Sequence, residues 1–142
     1  MATNYLAVLV AQVVFFLIGW AWYSQALFGK AWMKAMGKTA ESIEEEKAET
    51  NMVKAMIINF IGGLVMVFVT AHLINYMFVV FPESSAVSIG LMTAFWVWLG
   101  YIAMYTLNQV TWEGKSWSFY FITNGYQLVG LLIVGVILAS WR

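Results

Sequence analysis

Four long apolar stretches constrain the fold of this chain more than any other feature of its sequence. They cover residues 5–28, 52–81, 86–109 and 117–141. No Lys, Arg, Asp or Glu lies in the middle of any stretch, and each exceeds the roughly 20 residues that a helix needs to cross a bilayer. A helix satisfies its backbone hydrogen bonds internally, as lipid requires. The sequence therefore predicts an all-α fold, a polytopic membrane protein built as a four-transmembrane-helix bundle.

Composition favours the same interpretation. Hydrophobic residues make up 63% of the 142 residues, and charged residues make up only 10%. Soluble domains contain roughly 45–50% apolar and about 25% charged residues, so the apolar surplus exceeds what one soluble core of this length could hide. Seven basic residues balance seven acidic ones, which gives no basic field for nucleic acid. We expect one transmembrane domain over residues 1–142, with membrane lipids and no nucleic acid among its partners.

The basic residues predict an orientation. The loops after the first and third stretches lie on one side, and they contain Lys30, Lys34, Lys38, Lys47, Lys54 and Lys115. The other side contains Arg142 alone. Because an excess of Lys and Arg in short loops marks the cytoplasmic side, we expect a multi-pass protein of the cell inner membrane with both termini outside, in the periplasm. No small-residue cleavage pattern follows the first stretch, so we expect it to be retained as a span.

The cytoplasmic loop, residues 29–51, has a pattern of its own. Lys30, Lys34 and Lys38 recur every four residues and alternate with apolar residues. This spacing predicts a short amphipathic helix along the lipid headgroups. Gly37 is expected to end that helix.

Further along the loop, Ser42 and Glu45 have the spacing of a capping box. We therefore expect a helix that starts there and continues into the second span as a solvated stem. Its glutamates are interpreted as a solvated face, because they lack the residue spacing of a calcium-binding loop.

Polar residues within the spans are the candidate ligand or pore residues. The cytoplasmic half contains Asn59, Tyr101, Tyr105, Asn108, Asn124 and Gln127, and the outer half contains Gln12, His72 and Thr93. At about 100° per residue, Tyr101, Tyr105 and Asn108 share one helix face. We expect that face to point into the bundle.

The amides of the cytoplasmic half have two interpretations. Asn59, Asn124 and Gln127 lie at similar depth, and we expect them to meet at the bundle axis. There they would either hold helices together by hydrogen bonds or surround a pocket for a ligand or water.

The outer group predicts a water-accessible cavity, because Gln12, His72 and Thr93 come from different spans at comparable depth and water needs several polar partners. His72 is the only histidine, and the chain has no cysteine. A metal site needs more ligands than that, so we expect no metal and no cofactor. The alternative is a neutral imidazole near the outer surface that bonds to Gln12, Thr93 or water.

Two tryptophan pairs resemble each other. Trp20 and Trp22 lie near the end of the first stretch, and Trp96 and Trp98 lie in the third. Side chains at positions i and i+2 point to different sides of a helix. One tryptophan of each pair should therefore face lipid or a neighbouring subunit while the other faces the bundle, where a flat apolar ligand could stack.

Two motifs carry a family resemblance: Gly-Trp-Ala-Trp-Tyr-Ser at residues 19–24 and Leu-Phe-Gly-Lys-Ala-Trp-Met at residues 27–33. With them, with Trp-Leu-Gly-Tyr at residues 98–101 and with Asn4 and Asn124, the chain resembles the bacterial membrane family catalogued as domain of unknown function 1761. The resemblance covers nearly the whole chain and implies four hydrophobic spans. It implies no activity, catalytic residue or ligand.

The sequence disfavours an enzyme, because the spans contain one histidine and no carboxylate to activate a nucleophile. Small four-span proton-coupled exporters use a carboxylate in the first helix, where this chain has Gln12. We expect a homo-oligomeric membrane protein that binds a small or lipid-like molecule, with conduction of that molecule as one role. The alternative is a structural or accessory subunit of a larger membrane complex.

Reporter fusions test the predicted orientation. A reporter that is active only in the cytoplasm should be inactive when fused after Arg142 and active when inserted at Gly37, because the basic loops mark the cytoplasmic side. Reporter activity in intact cells is the measurement. An active fusion after Arg142 would contradict the orientation.

Overall fold

The structure, a computed structural model, describes residues 3–142, and all its regular elements are helical. The helices are α1 (Tyr5–Trp22), α2 (Gly29–Ala35), α3 (Ala40–Glu49), α4 (Met52–Val80), α5 (Ala86–Val97), α6 (Met104–Thr111) and α7 (Trp117–Ser140), with a π-helical segment (Trp98–Ala103) between α5 and α6. Four helices within this range are long and apolar enough to span a membrane: α1, α4, α7 and the continuous unit Ala86–Thr111, here called the third span. The all-α, four-span prediction is confirmed, and these helices indicate a multi-pass membrane protein.

Each span begins at a side-chain cap. The capping side chains are those of Asn4, Asn51, Ser85 and Ser116, and each accepts a hydrogen bond from a backbone N–H in the first turn. The first N–H groups of a helix have no partner within the helix. These caps satisfy some of them and so fix where each span starts.

The first span is shorter than its apolar stretch. α1 ends at Trp22, and a tight turn follows in which the Phe28 N–H donates to the Trp22 carbonyl at 3.0 Å. The Gly29 N–H donates to the Ser24 carbonyl at 2.9 Å. A side chain on Gly29 would collide with the backbone of Tyr23 and Ser24, so the turn requires a glycine where α2 begins.

The predicted end of the amphipathic helix is confirmed. Gly37 has a φ of +66°, in the left-handed region that favours glycine. Its N–H donates to the Lys34 carbonyl, and the Lys38 N–H donates to the Met33 carbonyl. This is the Schellman arrangement that satisfies the last carbonyls of a helix.

The predicted capping box at Ser42 and Glu45 is wrong. The box forms between Thr39 and Ser42 instead, with N–H to hydroxyl distances of 3.0 and 3.1 Å. Thr39 offers an earlier hydroxyl acceptor, and Ala40 behind it is a strong helix former, so α3 starts there. Asn51 caps α4 separately, so the continuous stem into the second span is also wrong.

α7 is the central helix and packs against α1, α4 and α5. At its contact with α5, Gly90 and Gly135 face each other, and a Cβ atom on either glycine would collide with the backbone of the other. Small residues allow helix backbones to approach closely in membranes. This glycine pair therefore fixes the separation of α5 and α7.

α1 packs against α7 through aromatic rings that lie over glycines. The Phe15 ring fills the space that a Cβ on Gly130 would need, and the Tyr126 ring does the same at Gly19. The Tyr126 hydroxyl donates to the Phe15 carbonyl at 3.3 Å, and the two ring centroids are 5.0 Å apart. These contacts hold α1 firmly on α7.

α4 is buried in the bundle through its second half only. Its buried residues are Val67, Thr70, Ala71, Ile74 and Phe78. No residue of α4 before Val67 is buried. The first half of α4 contacts α1 at Phe60 and Gly63 but is not buried, and a groove remains between it, α1 and α7.

The glycine contact between α5 and α7 yields a stability prediction. Gly90→Ala places a methyl group against the backbone at Gly135, so the helices must separate, and the free energy of unfolding should fall by about 1–3 kcal/mol. Gly62→Ala is the control, because its Cβ meets nothing within 4 Å and should be neutral or slightly stabilising. Unfolding in detergent measures both. Equal losses in the two variants would contradict the packing described here.

Candidate functional site

A groove of about 680 Å³ lies between α1, α7 and the first half of α4. Its lining includes Phe16 and Trp20 of α1, Tyr23 directly after α1, Met52 and Met56 of α4, and Tyr126 of α7. No Lys, Arg, His, Asp or Glu is among the lining residues. The groove therefore suits an uncharged molecule with a large apolar surface.

Gln12 is the most buried polar residue of the groove, with 1% of its surface exposed. Its Nε2 donates to the carbonyl of Phe60 at 3.2 Å, which fixes the orientation of the carboxamide. Its Oε1 lies against Gly63, close to where a side chain would begin. That oxygen is buried and accepts no hydrogen bond from residues 3–142.

Two further carboxamides line the same groove. Gln127 on α7 also has a buried Oε1 without a hydrogen-bond partner in the described part of the chain. Asn59 on α4 is exposed, and its Nδ2 donates to the Ala55 carbonyl of its own helix at 2.8 Å. The groove thus combines apolar walls with amide groups from all three helices, two of which have an unused acceptor.

Aromatic rings close the end of the groove near the α1–α2 turn. The rings of Tyr23 and Tyr126 pack edge to face at 5.6 Å. Burial raises the pKa of the Tyr23 phenol, so the ring is neutral at physiological pH. Trp20 is 75% exposed and borders the groove on its open side. This end therefore presents neutral aromatic surface and no charge.

The structure does not bring the predicted outer group together. Gln12 lines the groove, whereas His72 and Thr93 are not among its lining residues. The His72 ring bonds to the Phe68 carbonyl at 2.9 Å and to the Thr3 hydroxyl at 3.5 Å. Thr93 is buried on α5. The predicted cavity shared by these three residues is wrong, because His72 lies level with Thr3 just before α1, whereas Gln12 lies level with Phe60 of α4.

Asn124 lies in a different network from the groove amides. Its Nδ2 donates to the Thr106 hydroxyl and to the Tyr120 carbonyl, both at 3.0 Å. Nearby, the Tyr120 hydroxyl donates to the Ala103 carbonyl of the π segment. The prediction that Asn59, Asn124 and Gln127 meet at the bundle axis is therefore wrong, because Asn124 bonds to Thr106 and Tyr120 while Asn59 is exposed.

Tyr101, Tyr105 and Asn108 point out of the bundle, contrary to prediction. The two tyrosines are 79% and 74% exposed, and Asn108 is exposed as well. The cause is the π segment, which inserts a residue into the turn and rotates everything after it. In an unbroken α-helix these three positions would continue the buried face that starts at Ala94.

The tryptophan prediction is confirmed. Trp20 and Trp96 are 75% and 61% exposed. The inward partners donate through Nε1 to carbonyls of α7: Trp22 to Ile122 and Trp98 to Asn124, both at 3.0 Å. These bonds attach the ends of α1 and α5 to the central helix.

The family assignment rests on a comparison that covers nearly the whole chain. Residues 6–139 match the family described as "Protein of unknown function (DUF1761)". The chain belongs to this family. No curated protein and no solved structure matches the chain. The resemblance drawn from residues 19–24 and 27–33 is confirmed, and the DUF1761 family itself supplies no activity for the groove.

In this DUF1761 chain, sequence reasoning missed Tyr126 and the glycines that shape the groove. Gly62 and Gly63 form a pair inside an apolar helix, where glycine lowers helix stability. Such a pair indicates either a close contact with a neighbouring helix or an open space beside the helix, and here both occur. Gly63 contacts the Gln12 side chain, and a Cβ atom on Gly62 would have no neighbour within 4 Å. The pair was the available signal for the site.

The amides generate a paired stability prediction for this DUF1761 protein. Asn124→Leu removes buried hydrogen bonds and should lower the free energy of unfolding by about 1–2 kcal/mol. Asn59→Leu removes only a bond within its own helix and should change that free energy by less than about 0.5 kcal/mol. Denaturant titration in detergent measures both. If Asn59→Leu lowered the free energy of unfolding more than Asn124→Leu, the assignment of Asn124 as the amide that stabilises helix packing would be contradicted.

Proposed function

We propose that this protein binds a neutral, lipid-like molecule in the groove between α1, α4 and α7. One observation carries the proposal: the carboxamide oxygens of Gln12 and Gln127 are buried without a partner in the wall of an otherwise apolar groove. An unpaired amide oxygen in an apolar environment is costly. A ligand that offers hydrogen-bond donors would remove that cost.

The chemistry of the lining supports a defined ligand class. Both free groups are acceptors, so the ligand should carry O–H or N–H donors, and a small shift of α4 at Gly63 would give it access to Gln12. The lining contains no charged side chain, which favours a neutral head over an ionic one. The volume of about 680 Å³ lies within the range of about 300–1,000 Å³ that is usual for small-molecule sites.

The ligand would reach the groove sideways from the bilayer. The groove lies beside the half of α4 that begins at Met52, next to the loop that carries Lys30, Lys34 and Lys38. Because the basic loops mark the cytoplasmic side, we place the groove in the cytoplasmic half of a cell inner membrane, with both termini outside. The proposed ligand is therefore a component of that leaflet.

Binding, rather than catalysis or conduction, is the function proposed. The lining has no His, Cys, Ser, Lys or carboxylate to supply a nucleophile or a base. Conduction would require the outer half of α4 to move, because Val67, Thr70 and Ile74 are buried there against the bundle. An accessory subunit whose groove holds a helix of a partner protein is the competing role.

Photolabelling in liposomes tests the proposal. A diacylglycerol with an alkyl diazirine offers a hydroxyl donor and an apolar body, and we expect it to label residues 52–66. Gly62→Phe fills the groove without a backbone clash and should reduce this labelling about tenfold, whereas Ile61→Phe, on an exposed neighbouring position outside the groove, should not.

Competition with unlabelled lipid separates the head-group chemistry. Diacylglycerol should compete better than its acetate ester, which has lost the hydroxyl donor. Equal labelling of Gly62→Phe and Ile61→Phe would overturn groove binding.

A further inference from the structure

The third span carries a polar face that the bundle does not use. Tyr101, Tyr105 and Asn108, here called the polar stripe, are exposed on one side of this span. Within residues 3–142 none of their side chains takes part in a hydrogen bond or ring contact with the bundle. In a membrane this side faces lipid or another protein.

The depth of the polar stripe argues against lipid. The third span has 26 residues, about 39 Å as a helix against a hydrocarbon core of about 30 Å, so each end projects by roughly 5 Å. Tyr101 lies ten residues before Thr111, the end of the span, which places it about 10 Å inside the hydrocarbon. Its hydroxyl has no water at that depth.

The direction of the side chains removes the usual explanation, an interfacial aromatic belt. Helical side chains lean toward the helix N-terminus, and the N-terminus of the third span, Ala86, is at the opposite surface from Thr111. The Tyr101 and Tyr105 phenols therefore lean toward the bilayer centre. The Tyr101 hydroxyl, about 10 Å deep, therefore cannot reach the nearer surface, so a protein partner is the remaining source of its hydrogen bonds.

The π segment makes this exposure a specific feature of the chain. Without the inserted residue, the polar stripe would continue the buried face of α5 beyond Ala94, as the sequence predicts. The insertion turns the stripe outward and turns Ala103 and Thr106 inward, where Thr106 meets Asn124. π-helical insertions are frequent at functional sites.

We infer that the polar stripe packs against the polar stripe of a second copy of this chain. All copies share one orientation in the membrane, so a twofold axis along the membrane normal places identical residues at identical depth. Phenol and carboxamide groups both donate and accept hydrogen bonds, so the stripe is complementary to itself. Gly100 beside it is exposed, with open space where a side chain would be, and allows close approach.

The interface is independent of the groove. The polar stripe lies on the third span, whereas the groove is lined by α1, α4 and α7. Dimerisation and ligand binding can therefore fail separately, and each has its own test.

Cysteine cross-linking tests the interface directly, because the chain contains no cysteine. Tyr101→Cys and Tyr105→Cys change exposed side chains and should form a disulfide dimer of twice the chain mass when membranes are oxidised. Ile61→Cys on α4 is the control, since Ile61 is exposed at similar depth on another helix. A dimer yield no higher than that of Ile61→Cys, or a product of any other mass, overturns the proposal.

A conservative substitution tests the hydrogen bonds. Tyr101→Phe removes one hydroxyl from each copy and should raise the dimer dissociation constant roughly three- to tenfold, measured by subunit counting in liposomes. Tyr76→Phe, at a position that is 70% exposed on α4, should leave it unchanged. Equal constants for the two variants would contradict the role of the polar stripe.

Discussion

The cost of an unpaired polar group in hydrocarbon governs this structure. Water is absent from the bilayer core, so every backbone group must be satisfied within the protein. The spans meet this requirement with capping side chains at their starts and with tryptophans that donate to carbonyls of α7. Within residues 3–142, the side-chain oxygens of Gln12, Thr93, Thr123 and Gln127 are buried without a hydrogen-bond partner. The two glutamines differ from the threonines because they line the groove.

The groove depends on two features of helix packing: the close contact of α5 with α7, and the partial packing of α4. Gly90 and Gly135 bring α5 and α7 into backbone contact, which makes this pair the fixed part of the bundle, and α1 is held to it through Tyr126. α4 shares only the outer half of this packing. The bundle is thus packed around the second half of α4 and open laterally beside its first half, a shape that fits the proposed entry of a molecule from one leaflet.

The sequence predicts the parts of the fold that depend on local chemistry. The four spans follow from hydropathy, the end of α2 follows from Gly37, and the inward and outward tryptophans follow from their spacing. The predictions fail where they depend on how helices are aligned along one another. Gln12 and His72 were assigned one depth, but the packing of α1 on α4 places Gln12 at Phe60 and His72 near Thr3, and no single-sequence pattern reports that alignment.

Helical periodicity fails in a second way at the third span. It assumes a constant angle per residue, and the π segment breaks that assumption, so Tyr101 and Tyr105 face outward. Hydropathy does not report such a segment, because it records which residues are apolar and not the angle between them. Similarly, the groove arises because the first half of α4 is not buried against the other helices, and the glycine pair at residues 62 and 63 is the sequence feature that indicates it.

A structure determined in lipid nanodiscs tests the central claim most directly. The claim is that the first half of α4, which meets α1 at Phe60 and Gly63, leaves a groove between itself, α1 and α7 for a neutral lipid. It predicts an open groove with elongated density whose polar end lies at Gln12 and Gln127. A structure in which α4 packs on α1 along its whole length, with the two carboxamides bonded to each other, would contradict the claim.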